Sequence, residues 1–260
     1  GEFNFELVED GNVVATGSND ADGKVVFSSI TYTQPGSHVY TVREVKGSET
    51  GVTYDDHNYL VYTQITDKGD GTLGVTHQAV SSEENDELVP VEGNAITFHN
   101  SYKAEPVPVK IAGSKTLAHD TSLTPADITG KFTFTLEALT EGAPMPAQAT
   151  AVNDAAGNVD FGRITFTTDL LQDAITTDNG VRTKEFEYKV TESGSAAGVT
   201  NDVNVSKTFK LTLTDDGNGN LSVTRNPADG PLFSFTNTYS VSELPSSITD
   251  QVKVNKTLEG

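Results

Sequence analysis

Along most of the chain, apolar and polar positions alternate in short runs rich in Val, Thr, Phe and Tyr. A period of two sends successive side chains to opposite faces of a strand, so these runs predict β-strands with one buried face. Asp-Gly, Asn-Gly and Gly-Asn pairs between the runs predict hairpin turns. Only two stretches read as helical, "TPADI" from Thr124 and "DLLQDAI" from Asp169, where Thr124 with Pro125, and Asp169, supply N-terminal signals. The pattern predicts an all-β protein of the sandwich type.

The strands also repeat in order. "FNFEL" (Phe3 to Leu7) returns as "FTFTL" (Phe132 to Leu136), and "GKVVFSSITYT" from Gly23 returns as "GNVDFGRITFT" from Gly157. "YTVREV" from Tyr40 matches "YKVTES" from Tyr188, and "DKGDGTLGV" from Asp67 matches "DDGNGNLSV" from Asp215. "ITFHNSY", ending at Tyr102, matches "FSFTNTY", ending at Tyr239, and "GSKTL", ending at Leu117, matches "VNKTL", ending at Leu258. Pro-bearing polar segments, Lys103 to Lys110 and Ser240 to Ser247, have the character of short stiff linkers. The expected organisation is a sandwich over 1–103 lacking its first strand, a complete sandwich over 104–240, and a linker with the first strand of a further repeat over 241–260. That last strand is expected to complete the first domain of the same or a neighbouring molecule, and the stiff linkers predict domains spaced end to end.

Three polar residues in each repeat break the alternation. Lys115 shares parity with Val107, Val109, Ile111 and Leu117, and Lys256 with Val252, Val254 and Leu258. Asn100 lies between Phe98 and Tyr102, and Asn237 between Phe235 and Tyr239, on the apolar face of each closing strand. Glu44 follows Tyr40 and Val42, and Glu192 follows Tyr188 and Val190. An isolated buried ammonium or carboxylate is strongly disfavoured, so such groups neutralise. A neutral lysine is a nucleophile, and a protonated glutamate beside a carboxamide polarises its carbonyl and carries a proton to departing ammonia. The product is an amide joining Lys to Asn, which removes two buried polar groups at once.

Charge and composition narrow the partners. Acidic residues outnumber basic ones 37 to 17, a net charge of −20, which argues against nucleic acid or an anionic membrane surface. There is no cysteine, hence no disulfide, thiol chemistry or Cys-ligated metal. No apolar run approaches the ~20 residues of a membrane helix. The start of the sequence has no leader pattern, so a secretion signal is expected upstream in a longer precursor. The Asp/Asn/Gly turns at Asp67 to Gly71 and Asp215 to Gly219 resemble calcium loops only faintly and read as hairpin turns. His38, His57, His77, His99 and His119 have no metal-ligand spacing, and "ELPSS" from Glu243 reads as linker. Neither metal nor cofactor is expected.

Taken in order, "KTL", "F-x-F-x-L", "ITYT", "Y-x-V-x-E", "D-x-G-x-G-x-L" and "F-x-N-x-Y" resemble the streptococcal-type pilin isopeptide linkage domain over nearly the whole chain. The resemblance implies tandem Ig-like β-sandwiches on a Gram-positive cell wall or pilus, working as a structural stalk. In the family a first-strand Lys bonds a last-strand Asn with help from a Glu, which carries over to Lys115, Asn237 and Glu192. The first unit supplies Glu44 and Asn100 without a matching Lys, and Lys256 belongs to a third unit. Lys24, Lys46, Lys68 and Lys103 lie in other motifs. The implied chemistry is a single self-directed cross-link, not turnover, with neighbouring repeats, and head-to-tail self-association through the C-terminal strand, as partners. The alternative is a host-ligand-binding adhesin domain using the longer stretches Ala143 to Asn158 and Ser193 to Asn204. A hydrolase accessory domain is disfavoured because no catalytic pair is present.

Overall fold

A computed structural model of the chain describes residues 3–84, 87–177, 179–243 and 255–259, apart from the side chains of His77 and Glu84. The protein is all-β and divides into two compact units, the first built on 1–104 with 218–220, the second on 105–217 and 221–260. Among the described residues, no helix is long and apolar enough to cross a membrane.

Among the described residues of the first unit there are nine strands: β1 (Asn4–Glu9), β2 (Asn12–Asn19), β3 (Val25–Phe27), β4 (Gly36–Val45), β5 (Val52–Thr53), β6 (Asn58–Asp67), β7 (Leu73–Glu84), β8 (Glu87–Pro90) and β9 (Ser101–Tyr102). Seven of them make one sheet in the order β3-β2-β1-β4-β6-β7-β8, and β5 pairs with β9 separately. The inner face of the large sheet carries Tyr40, Val42, Val61 and Val80, against which Leu7, Ile96 and Phe98 pack. The covering layer is thus mostly irregular chain around Ile96 and Phe98 rather than a second wide sheet.

The second unit has two facing sheets. Its strands are β10 (Val107–Ala118), β11 (Phe132–Ala138), β12 (Thr150–Val152), β13 (Asn158–Phe166), β14 (Ile175–Thr176), β15 (Arg182–Gly194), β16 (Val199–Thr200), β17 (Ser206–Asp215), β18 (Leu221–Asn226) and β19 (Ser234–Tyr239). One sheet runs β13-β10-β19-β16; the other runs β12-β11-β15-β17-β18, with β14 on β15. Phe132, Phe134, Phe186, Tyr188, Phe209 and Phe235 are all essentially inaccessible between them. Each such ring contributes about 1.5–3 kcal/mol by leaving water, which makes this layer the source of the unit's stability. Phe134 meets Phe235 across the sheets at 5.4 Å between ring centroids, and Phe166 meets Phe186 at 5.6 Å.

The first and last strands of this unit lie side by side. β10 pairs with β19 in parallel, Lys115 opposite Phe235 and Leu117 opposite Asn237.

Neither expected helix forms as such. Thr124 to Ile128 has no helical turn; the Asp127 carboxylate instead accepts the Thr129 N–H at 2.9 Å, a local bond that competes with helix. Pro125 also disfavours helical geometry at Thr124. From Asp169 only one 3-10 turn appears, Thr168–Leu171. Stretches this short do not offset the unfavourable first turn of a helix.

Candidate cross-linking site

Strand parity brings three polar side chains into the apolar interior of the second unit. On β10, Ile111, Gly113 and Lys115 are buried in alternation; on β15, Phe186, Tyr188, Val190 and Glu192; on β19, Phe235 and Asn237. Lys115 and Asn237 therefore come from one sheet and Glu192 from the facing one. The side chains of Lys115 and Glu192 are 0% exposed, with Nζ 2.6 Å from Oε1. That contact is off the hydrogen-bonding directions: Lys115 Nζ and both Glu192 oxygens have no aligned hydrogen-bond partner among the described residues. The Lys115 Nζ instead sits 4.6 Å from the centre of the Phe132 ring. Burial holds the Lys115 amine below the ordinary lysine range, although Glu192 and then Asp202 pull it upward. The pair is close enough to exchange a proton, which converts it to a free amine and a carboxylic acid.

Asn237, 0% exposed, is held by its carboxamide. Its Oδ1 accepts the main-chain N–H of Asp202 at 2.7 Å, and its Nδ2 donates to Asn201 Oδ1 at 3.3 Å. Both contacts come from the turn after β16, which runs along β19 with Val199 opposite Tyr239 and Thr200 opposite Thr238. The Asp202 carboxylate fixes that turn. Its Oδ2 accepts the Thr236 N–H at 3.0 Å and its Oδ1 the Asn204 N–H at 2.9 Å, and Lys207 lies 3.1 Å away. Burial alone would raise the Asp202 pKa, but the N–H groups of Thr236 and Asn204, with Lys207, hold it below the usual range.

The first unit repeats part of this geometry, the asparagine oxygen held by an aspartate N–H, without the lysine. Glu44 is buried on β4 after Tyr40 and Val42, and its Oε1 accepts from Asn100 Nδ2 at 2.7 Å. Asn100 Oδ1 accepts the Asp55 N–H at 2.8 Å, and that N–H also lies 3.1 Å from Glu44 Oε2. Asp55 accepts the N–H groups of His99 at 2.6 Å and His57 at 2.9 Å. Among the described residues no ion pair joins Glu44 to a cation. Lys256 is exposed and lies in no strand, and Val252 and Val254 fall outside the described residues.

Asp55, Asn201 and Asp202 are additions to the residues singled out from sequence. Their signal is a further match between the repeats, "GVTYD" from Gly51 and "GVTND" from Gly198. His99 joins the site through its main-chain N–H, and His57 through both its main-chain N–H and its ring Nδ1, which lies 2.6 Å from Asp55 Oδ1. Among the described residues the acidic and imidazole groups with ligand-like spacing are Asp55, Asp56 and His57. Both Asp55 oxygens are already engaged by N–H donors.

Solved structures with a resemblance include the major pilin T3.2 of Streptococcus pyogenes, 14% identical over 92% of this chain and 90% of that one, with a TM-score of 0.31. The major pilin T-13 of the same organism is 16% identical over 92% and 89%, TM-score 0.30. A further S. pyogenes major pilin is 19% identical over 91% and 90%, TM-score 0.30. No curated protein matches. The model of the FctA, Spy0128-like isopeptide containing domain matches residues 1–103 and 111–240, which takes in both copies of the Glu and Asn constellation. With a match over that much of its length, the chain belongs to the FctA family of Spy0128-like isopeptide containing domains.

Proposed function

We propose that the protein is a structural module of a Gram-positive surface pilus or stalk, in which the second unit locks itself through an amide between Lys115 and Asn237, assisted by Glu192. The observation that carries this reading is the wholly buried Lys115 and Glu192 pair, 2.6 Å apart, with Lys115 on the parallel neighbour of the strand that holds the buried Asn237. Burying an ammonium and a carboxylate is costly even when the two are paired, so a reaction that consumes the amine is favoured by the fold itself. The neutral Lys115 amine attacks Asn237 Cγ, one proton passes from Nζ through Glu192 to Nδ2, and ammonia leaves. No oxidant or cofactor is needed. With the amide on neighbouring parallel strands, tension along the stalk crosses the unit without peeling its sheets apart.

Intact-mass measurement of the full chain tests this directly. The folded protein is expected to be lighter than the translated sequence by one ammonia for this bond. A folded protein at full translated mass would refute it.

A chain that cannot close the bond, Asn237→Ala, exposes the unreacted lysine to titration. Its folded-state pKa lies below the ordinary 10.5. Between those two values the unfolded chain holds a proton that the folded chain lacks, so stability rises with pH across that window. Tyr40 and Tyr188, whose phenols burial pushes up, oppose this only once pH exceeds about 10. Thermal unfolding from neutral pH to pH 10 is expected to show a midpoint that climbs relative to a Lys115→Met, Asn237→Ala chain. Parallel curves would show that Lys115 is not perturbed.

A further inference from the structure

The geometry points to the main-chain N–H of Asp202 as the oxyanion donor for the Lys115 to Asn237 reaction, with the Asp202 carboxylate as the positioning group that aims it. This inference rests on the cross-link reading above. When Lys115 Nζ bonds to Asn237 Cγ, the carbonyl π pair moves onto Oδ1, and that oxygen is where negative charge gathers. A donor already aimed at it in a dry site lowers the barrier without reorganising. The Asp202 N–H stands 2.7 Å from Asn237 Oδ1. As the tetrahedral centre collapses, the pair returns to the carbonyl and Nδ2 departs with the proton carried through Glu192.

The side chain explains why this N–H points there. Turns after short edge strands have few fixed contacts, yet the Asp202 carboxylate ties its own turn to the Thr236 N–H, one residue before the reacting Asn237, and to the Asn204 N–H. The clamp and its target are thus registered on the same strand. The charge of that carboxylate works against the reaction, since it draws the Lys115 pKa upward. Its value is therefore geometric, and Lys207 at 3.1 Å offsets part of the charge. The first unit is built the same way, with the Asp55 N–H on Asn100 Oδ1 at 2.8 Å and the Asp55 carboxylate on the N–H of His99, again the residue before the asparagine. A turn of merely local importance would not place its N–H on the reacting oxygen and its carboxylate one residue upstream in both units.

The test uses the full chain made by cell-free translation, with ammonia loss followed by intact mass and the folded fraction followed by protease protection in the same samples. Replacing Asp202 by its α-hydroxy acid turns one backbone amide into an ester, which deletes the N–H and keeps the carboxylate. The rate per folded molecule is expected to fall about 100-fold or more, the usual effect of losing one oxyanion donor. Asp202→Asn keeps an acceptor oxygen for Thr236 and should react within a few-fold of the unaltered chain, whereas Asp202→Ala should slow towards the ester. An ester chain that links at the normal rate overturns the donor role, and an Asp202→Ala chain as fast as Asp202→Asn overturns the positioning role. In both cases the unaltered chain still loses ammonia, whereas failure of the cross-link reading appears as an unaltered chain that never does.

Discussion

The Glu192→Gln chain is expected to fold, to keep its full translated mass, and to melt about 15–25 °C below the unaltered protein. Glutamine preserves the shape of the buried side chain but cannot take the proton from Lys115 Nζ and deliver it to Asn237 Nδ2, so the amide does not form. The fold survives because the Phe-rich layer between β11, β15, β17 and β19 does not depend on the bond. What is lost is the closure of a loop of about 120 residues, worth roughly 5 kcal/mol on the chain-entropy account used for disulfides. For a unit of this size each kcal/mol moves the midpoint by a few degrees. Calorimetry with intact mass on the same sample checks both halves. A lighter, fully linked Glu192→Gln chain would remove Glu192 from the chemistry.

The second large effect concerns the first unit, where Glu44 and Asn100 are already hydrogen-bonded and Asp55 already addresses the carbonyl. A groove of about 390 Å³ lies on the same face, its apolar lining including Phe5, Phe27, Val42, Ile96 and Phe98. The strand pattern around Lys256 matches the one that carries Lys115, and strand addition beside a closing strand is a common mode of association. We expect Lys256 of one molecule to react with Asn100 of the next. Denaturing electrophoresis should then show a ladder of multimers, which Lys256→Ala abolishes while the bond at Lys115 persists. Monomers alone from the unaltered chain would rule the linkage out.

Strand parity makes most of this arrangement legible in the amino-acid sequence. Lys115, Glu192 and Asn237 stand out because each interrupts a period-two apolar face, and each is buried where that period puts it. The helix expected from Thr124 fails because Asp127 and Pro125 act over two or three residues, a range in which capping patterns and turn patterns look alike, and the one expected from Asp169 shrinks to a single 3-10 turn. Asp202 and Asp55 carry no such mark, for a different reason. They lie in turns, where no periodicity singles out a residue as inward, and their role depends on a main-chain N–H that every non-proline residue possesses. The irregular cover of the first unit is equally hidden, since "ITFHN" has the alternation of a strand while only Ser101–Tyr102 beyond it is paired.

The parallel neighbours β10 and β19 also set how the second unit is wired. With an amide between Lys115 and Asn237, residues 115 to 237 become a closed ring, and the incoming and outgoing backbone meet at the side chains that seal it. A single backbone cut anywhere inside that ring opens it without parting the molecule, because the amide still joins the two pieces. A protease would have to cut outside residues 115–237, in the first unit or the segments flanking the ring, to part the chain, and a nick inside the ring would leave its two ends joined.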